Sequence, residues 1–267
     1  MTSMLRETTT SGSKELAVSR KLAGKVAVVT GASKGIGASI AARFAAEGAA
    51  VVVDFCSRKA DADRVVGEIT NAGGEAVAVH ADVTKEADVR RLFAETDKTF
   101  GALEILVNNA GFFEFLPLES VTEEHFHKQF DLNVLGTILA TREALKYFGP
   151  AGGCIVNISS VTATWTPPGA SVYSATKAAV NALTRSLAKE LGARRIRVNG
   201  ISPGMVETEG LHAAGIAESD FRRQHESEVP LGRIGQPQDI APAAVYLASA
   251  DSAWITGETL TIAGGIR

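Results

Sequence analysis

The stretch Val26-Ala-Val-Val-Thr30-Gly31-Ala-Ser-Lys34-Gly35-Ile-Gly37 decides how the chain folds. Its first half is a β-branched apolar run of strand length. Its second half is rich in glycine, and from it Ile36, Ile40 and Phe44 recur along one helical face, with Gly48 placed to cap the end. Strand, glycine turn and helix in that order let the backbone approach a pyrophosphate closely at the positive helix N-terminus. The pattern G-x3-G-x-G is one residue longer than the common G-x-G-x-x-G. Taken alone, it reads equally as a turn with no ligand.

The rest of the chain repeats the alternation. Strand-like runs recur at Val26–Thr30, Ala50–Phe55, Ala76–His80, Ile105–Asn108, Cys154–Ser159, Arg197–Ile201 and Thr259–Ile262, with helical stretches between most of them. Val65, Val66 and Ile69 make one apolar stripe, stopped by Gly73-Gly74. Ser120-Val-Thr-Glu123 reads as a capping box opening a helix through His125–Tyr147, and Pro237 stands as a first-turn proline before Ile240–Ala248. Nearly continuous apolar strands alternating with helices imply a parallel sheet covered on both faces. We therefore expect an α/β, doubly wound, Rossmann-type fold with a seven-stranded parallel sheet. It should form a single domain over residues 21–267, preceded by a flexible tail, 1–20. The tail is polar around Thr8-Thr-Thr-Ser-Gly-Ser13 and has no apolar core of a secretory signal.

Composition excludes several classes. The 267 residues are 45% hydrophobic with a net charge of −3, so a sizeable core is available and a basic nucleic-acid or acidic-membrane surface is not expected. No run approaches the roughly 18 apolar residues of a membrane span. Cys56 and Cys154, both in apolar strand-like surroundings, read as reduced core residues of a cytoplasmic protein. His125 and His127 fall on different helical faces and no HExxH or CxxC pattern occurs, so no metal is expected.

A second stretch carries chemistry. In Tyr173-Ser-Ala-Thr-Lys177 a helix would place phenol and ammonium one turn apart, about 5–6 Å between Cβ atoms. A cation so close favours the phenolate and lowers the tyrosine pKa toward neutrality, where proton transfer is most useful. The alternative is a half-buried helix tyrosine beside a solvated lysine.

Six motifs in order decide between these readings: T-G-x-x-x-G-I-G at 30–37, N-N-A-G at 108–111, Asn133, Ser159-Ser160, Y-x-x-x-K at 173–177 and P-G-x-x-x-T at 203–208. In order and spacing they resemble the short-chain dehydrogenase/reductase family from about Leu22 to the C-terminus. The resemblance implies an oxidoreductase that moves a hydride between a nicotinamide cofactor and a carbonyl or secondary alcohol. Tyr173 would be the proton donor and acceptor. Lys177 would lower its pKa and hold the nicotinamide ribose, Ser160 would bond the substrate oxygen, and Asn133 would link Lys177 through water to solvent. The cofactor would be held by Gly31, Ser33, Lys34, Gly35, Ile36, Gly37, Asn109, Ala110, Gly111, Pro203, Gly204, Val206 and Thr208, with Asp82 and Val83 at the adenine. Asp82 has a helix N-cap as its plain alternative.

Asp54 ends the second strand and tempts toward NAD, but NAD-preferring relatives carry their acid where this chain has Phe55. Lys34, Ser57 and Arg58 instead suit a 2′-phosphate through charge-assisted bonds, unless the two cations are simply solvated. NADP(H) is therefore favoured over NAD(H). Phe112, Phe113, Ser160 and Trp165 are the expected substrate contacts, with Phe115, Leu116, Thr166 and Pro167 nearby. Aromatic residues are also ordinary core. The polar, glycine-interrupted segment 205–228 reads as a lid. Arg142 and Lys146 are too sparse for an acyl-carrier patch, so a small free carbonyl is expected. By analogy with the family, a homotetramer is expected, with Ala178, Ala179, Ala182 and Leu183 either at a subunit contact or on a core face. The competing readings are an NAD-dependent sugar or polyol dehydrogenase and a non-catalytic nucleotide sensor.

Overall fold

The structure is a computed structural model and describes residues 20–266. The expected tail lies outside the described residues, apart from Arg20. Among the described residues the sheet has seven strands, all parallel, in the order β3-β2-β1-β4-β5-β6-β7. They are β1 (Val26–Val29), β2 (Ala50–Phe55), β3 (Glu75–His80), β4 (Ile105–Asn108), β5 (Gly153–Ile158), β6 (Ile196–Pro203) and β7 (Thr259–Ile262). The order runs outward in both directions from the β1–β4 pair. That reversal opens a crevice at the carboxyl ends of these strands, where open α/β sheets bind ligands.

Helices α1 (Gly35–Ala46), α2 (Lys59–Asn71) and α3 (Glu86–Phe100) follow the first three strands. Two apolar clusters sandwich the sheet. Phe44, Val51, Val53, Val107 and Val156 lie in one, against α1, α2 and α9 (Pro237–Ala248); Val28, Leu92, Phe93, Leu106 and Ile155 lie in the other. Strands buried on both faces explain the unbroken Val/Ile/Leu runs of the sequence. Pro237 is the first residue of α9, where Gln236 and Asp239 form a reciprocal cap.

Two expectations about local structure are corrected. The helix expected from His125 to Tyr147 begins at Glu123, and Thr122, not Ser120, accepts from the His125 amide as its N-cap. It is also interrupted: α4 (Glu123–Phe130) passes through a wide π-turn, Asp131–Leu135, before α5 (Gly136–Ala144). A β-branched or polar residue leaves no periodic signal of such a turn. Cys154 is buried, whereas Cys56 falls just past the end of β2 and is exposed. Partial desolvation at its base, helped by Asp82, Asp54 and Asp88, raises the Cys56 thiol pKa.

Candidate active site

The glycine turn after β1 and the Asn108–Gly111 turn after β4 are laced together. The Thr30 hydroxyl accepts from the Asn109 and Ala110 amides, both at 3.0 Å. The Asn109 side chain donates back to the Thr30 and Gly31 carbonyls at 2.9 and 3.0 Å. There is no room for side chains between them. A Cβ on Gly37 would lie 2.4 Å from Asn109 Nδ2, and one on Gly31, whose φ is +61°, would lie 2.9 Å from the Ala110 Cα. Asp54 secures the same turn from β2: its Oδ2 accepts from the Gly31 amide at 3.0 Å and its carbonyl from Ala32 at 2.7 Å. Its other oxygen is buried without a partner among the described residues, and burial raises this carboxyl to about 7.

Lys34 precedes α1 in extended conformation and supplies no side-chain cap; no acidic residue stands in the first turn. The first amides of α1 are thus left for an anion, in the field of the helix N-terminus. Ser33 is buried below this turn. Ser57 and Arg58 are exposed at the carboxyl end of β2, where Arg58 pairs with Asp61 at 3.1 Å. Asp82 binds the Thr84 amide and hydroxyl at 3.0 and 2.7 Å, closing a turn ahead of α3 rather than capping that helix itself. Val83 is buried against Gly136.

The chemical groups stand at the opposite side of the crevice. Helix α6 (Ser171–Leu191) carries both Tyr173 and Lys177. Lys177 Nζ lies 5.7 Å from the centre of the Tyr173 ring and donates to the Ile158 carbonyl at 2.9 Å. Ser159 Oγ donates to the Lys177 carbonyl at 3.1 Å, which fixes this turn of α6 to the end of β5. Ser160 Oγ accepts from the Thr162 amide at 3.2 Å and hydroxyl at 3.0 Å, leaving its own proton to donate toward Tyr173.

The expected electrostatics are corrected here. Burial pushes the Tyr173 phenol up to about 12, with only the Ser160 hydroxyl acting downward, and burial brings Lys177 down to about 8. Desolvation outweighs the neighbouring ammonium, which is itself disfavoured in the same dry site. The protein's own groups therefore hold Tyr173 as a neutral phenol.

Asn133 is held by contacts of its own. Its side chain clamps the Phe112 backbone, accepting from the amide and donating to the carbonyl, both at 2.9 Å. It also donates to Thr176 Oγ1 of α6 at 3.0 Å. The π-turn places it there. A Cβ on Gly111 would meet Asn133 Oδ1 at 3.3 Å and Lys177 Nζ at 3.5 Å, so the glycine leaves a notch flanked by both groups.

Between these two sides lies a cavity of about 210 Å³ whose walls include Ser160, Tyr173, Ile36, Pro203, Gly204 and Val206. Phe112, Phe113 and Trp165 line it as expected, and so do Phe115 and Pro167, whereas Leu116 and Thr166 do not. The Phe113 and Phe115 rings each stand 5.9 Å from the Tyr173 ring. Segment 205–228 contributes α7 (Glu209–Ala213) and α8 (Asp220–Glu228), with Thr208 as the N-cap of α7. Thr208 faces the glycine turn: a Cβ on Gly35 would sit 3.2 Å from its methyl. Leu211, Phe221 and His225 complete the cavity wall. These three escaped the sequence reading, because a short polar segment gives no periodic sign of which residues turn inward.

Comparison with known proteins agrees with this architecture. The family model described as Enoyl-(Acyl carrier protein) reductase matches residues 31–267. An uncharacterized oxidoreductase of Methylorubrum extorquens is 54% identical over 92% of this chain and 99% of that protein. A hydroxynaphthalene reductase-like protein of Metarhizium majus is 41% identical over 92% and 96% of the two chains. Among solved structures, a dehydrogenase/reductase from Sinorhizobium meliloti superposes with a TM-score of 0.88 at 42% identity, covering 92% of this chain and 96% of that one. A short-chain dehydrogenase/reductase from Serratia marcescens gives 0.87 at 37% identity, covering 92% and 98%. The chain belongs to the short-chain dehydrogenase/reductase family and is an oxidoreductase of the kind that uses a nicotinamide cofactor.

Proposed function

We propose that this protein reduces a small, uncharged ketone to a secondary alcohol with NADP(H). The observation that carries the proposal is the convergence of the Tyr173 phenol, the Ser160 hydroxyl and the buried Lys177 ammonium on one wall of an apolar cavity, opposite the uncapped N-terminus of α1. The glycine turn and the notch at Gly111 fit the close approach of a dinucleotide. Gly31, Ser33, Lys34, Gly35, Ile36, Gly37, Asn109, Ala110 and Gly111 would hold its phosphates and sugars, and Pro203, Gly204, Val206 and Thr208 its nicotinamide. When bound, that group supplies the hydride. Lys177 would hold the ribose hydroxyls; Asp82 and Val83 would meet the adenine.

As the carbonyl carbon gains hydride its oxygen becomes an alkoxide, and donors aimed there stabilise that charge as it develops. Ser160 donates to the oxygen, and Tyr173 delivers the proton. A phenol kept neutral by burial stands ready as a proton donor to that oxygen. The apolar, aromatic lining disfavours a sugar. Arg142 and Lys146 are paired with Glu86 and Glu143 at 3.0 and 2.6 Å, which disfavours a carrier protein docked through them.

The preference for NADP(H) rests on Lys34, Ser57 and Arg58 near the end of β2, and on Asp54 being spent on the Gly31 amide. Residues 205–228 would act as the lid. Ala178 and Ala182 face outward on α6, and Phe126, Leu135 and Ile138 are about 40% exposed on the helices before it, which supports the homotetramer. Among the described residues no helix is long and apolar enough to cross a membrane.

Tyr173→Phe tests the proposal. Steady-state NADPH oxidation with a panel of aryl and alkyl ketones should fall by about 10³-fold while cofactor affinity by fluorescence titration stays within threefold. Undiminished turnover in the variant refutes the assignment of Tyr173, and no turnover by the wild type with any ketone refutes the reductase reading itself.

A further inference from the structure

His225 is the one polar side chain that the lid contributes to the cavity wall and that the proposed chemistry leaves unused. It lies on α8, is only 4% exposed, and its Nδ1 is buried with no hydrogen-bond partner among the described residues. Aromatic rings flank it: Trp165 at 5.8 Å and Phe221 at 6.4 Å between ring centres. A second cavity that His225 also lines holds Arg233 and Asp239, but these bond each other at 2.6 and 3.0 Å. A buried polar nitrogen without a partner is costly, and a ligand in the adjoining cavity is one way to complete it. Among the described residues, Lys177 and His225 are the only titratable side chains on the cavity wall besides Tyr173, and Lys177 already bonds the Ile158 carbonyl. Among the described residues the wall thus offers no cation besides Lys177 to match a carboxylate or phosphate on the substrate.

From this arrangement we propose that His225 is a specificity residue: it hydrogen-bonds a hydroxyl carried by a flat, uncharged aryl ketone, at the end of the substrate away from the carbonyl that Tyr173 protonates. The proposal rests on the ketone-reductase reading above and names the substrate class for that site. Aromatic walls from Phe113, Phe115 and Trp165 suit a flat ring. A hydroxyl suits the imidazole in either tautomer, because it can both donate and accept. Burial lowers the His225 pKa, with Glu226 and Glu228 acting in the opposite sense, so a neutral ring fits a neutral partner.

The test compares 1-tetralone with its four ring-hydroxylated isomers under NADPH. A site built to bond a hydroxyl discriminates against the analogue lacking it. The wild type should favour at least one hydroxylated isomer by about tenfold in kcat/KM, the effect of one hydrogen bond. His225→Leu should bring that ratio near unity while leaving 1-tetralone within about threefold. His225→Asn, which keeps a polar group near the Nδ1 position, should restore most of the preference. Thermal melts and NADPH titration confirm that each variant is folded, and the ¹⁵N shifts of the His225 ring should move with the favoured hydroxytetralone and not with 1-tetralone.

Reduction of 1-tetralone with no preference for any hydroxylated isomer overturns the role of His225 and leaves the reductase reading standing. So does equal loss on both substrates in His225→Leu. Failure to reduce any ketone removes both readings together.

Discussion

The two sides of the crevice are built from different materials. On the cofactor side, backbone meets backbone: the turns after β1 and β4 exchange hydrogen bonds through Thr30 and Asn109, and glycines fill every point where a Cβ would collide. On the other side, cavity walls come from side chains on several separate segments, and segment 205–228 is held together internally by Arg222, which bonds Glu207 at 2.7 Å and Glu226 at 3.1 Å. The first side tolerates no change in shape; the second is adjustable. The contrast teaches that the glycine side is fixed by main-chain contacts, whereas the cavity side, Tyr173, Ser160 and Lys177 included, is built from side chains.

Substitutions on each side should therefore differ in size. Gly37→Ala places a methyl 2.4 Å from Asn109 Nδ2 and 2.8 Å from the Gly31 carbonyl. Overpacking of this kind costs about 1–3 kcal/mol. NADPH affinity, measured by fluorescence titration, should fall by about a hundredfold, and the urea midpoint should drop as well. An unchanged variant would show that the two turns are looser than their contacts imply.

Arg58→Ala comes next. Its guanidinium is exposed, so its pairing with a 2′-phosphate is discounted for solvent. NADPH should bind about tenfold more weakly while NADH is unaffected, as read by paired titrations. Equal loss for both nucleotides would remove the cofactor preference from this residue.

Asp54 separates the two sides in their response to pH. Its folded-state pKa of about 7 lies above the ordinary 3.8, so the folded state binds the extra proton and stability declines as pH rises through that window. Asp54→Asn keeps an oxygen for the Gly31 amide and has no proton to lose. Its thermal midpoint should therefore gain on the wild type steadily between about pH 4 and pH 7. A constant difference across that range would mean that the carboxyl is not desolvated.

The smallest effect is expected in the lid. Glu207→Gln weakens a partly exposed ion-pair network and should cost about 1 kcal/mol or less, with KM for ketone raised about threefold and kcat nearly unchanged. A collapse of kcat instead would make the lid part of the catalytic machinery.

What the sequence disclosed follows the same division. Strand-length apolar runs, the glycine spacing, Pro237 and the Tyr173–Lys177 pair are local patterns, and each reappears in the fold where the pattern put it. The π-turn at Asp131–Leu135 was hidden because one extra residue in a helical turn changes no residue type. The Asn133 clamp on Phe112 and the placement of His225 were hidden for another reason: both join residues brought together by the tertiary fold. The electrostatic expectation for Tyr173 failed because sequence gives the distance between two charges along a helix but not the dryness of their surroundings.

The clamp at Asn133 also bears on how such an enzyme is altered. By tying Phe112 to the π-turn and to Thr176 of α6, it anchors the chain at the point where the backbone-built part of the crevice ends and the loop from 113 begins. The loop between that anchor and α4, which carries Phe113 and Phe115, can be exchanged while the clamp still holds Phe112 and Thr176. Loop grafting for new substrates has a natural splice point there, one residue past the clamp.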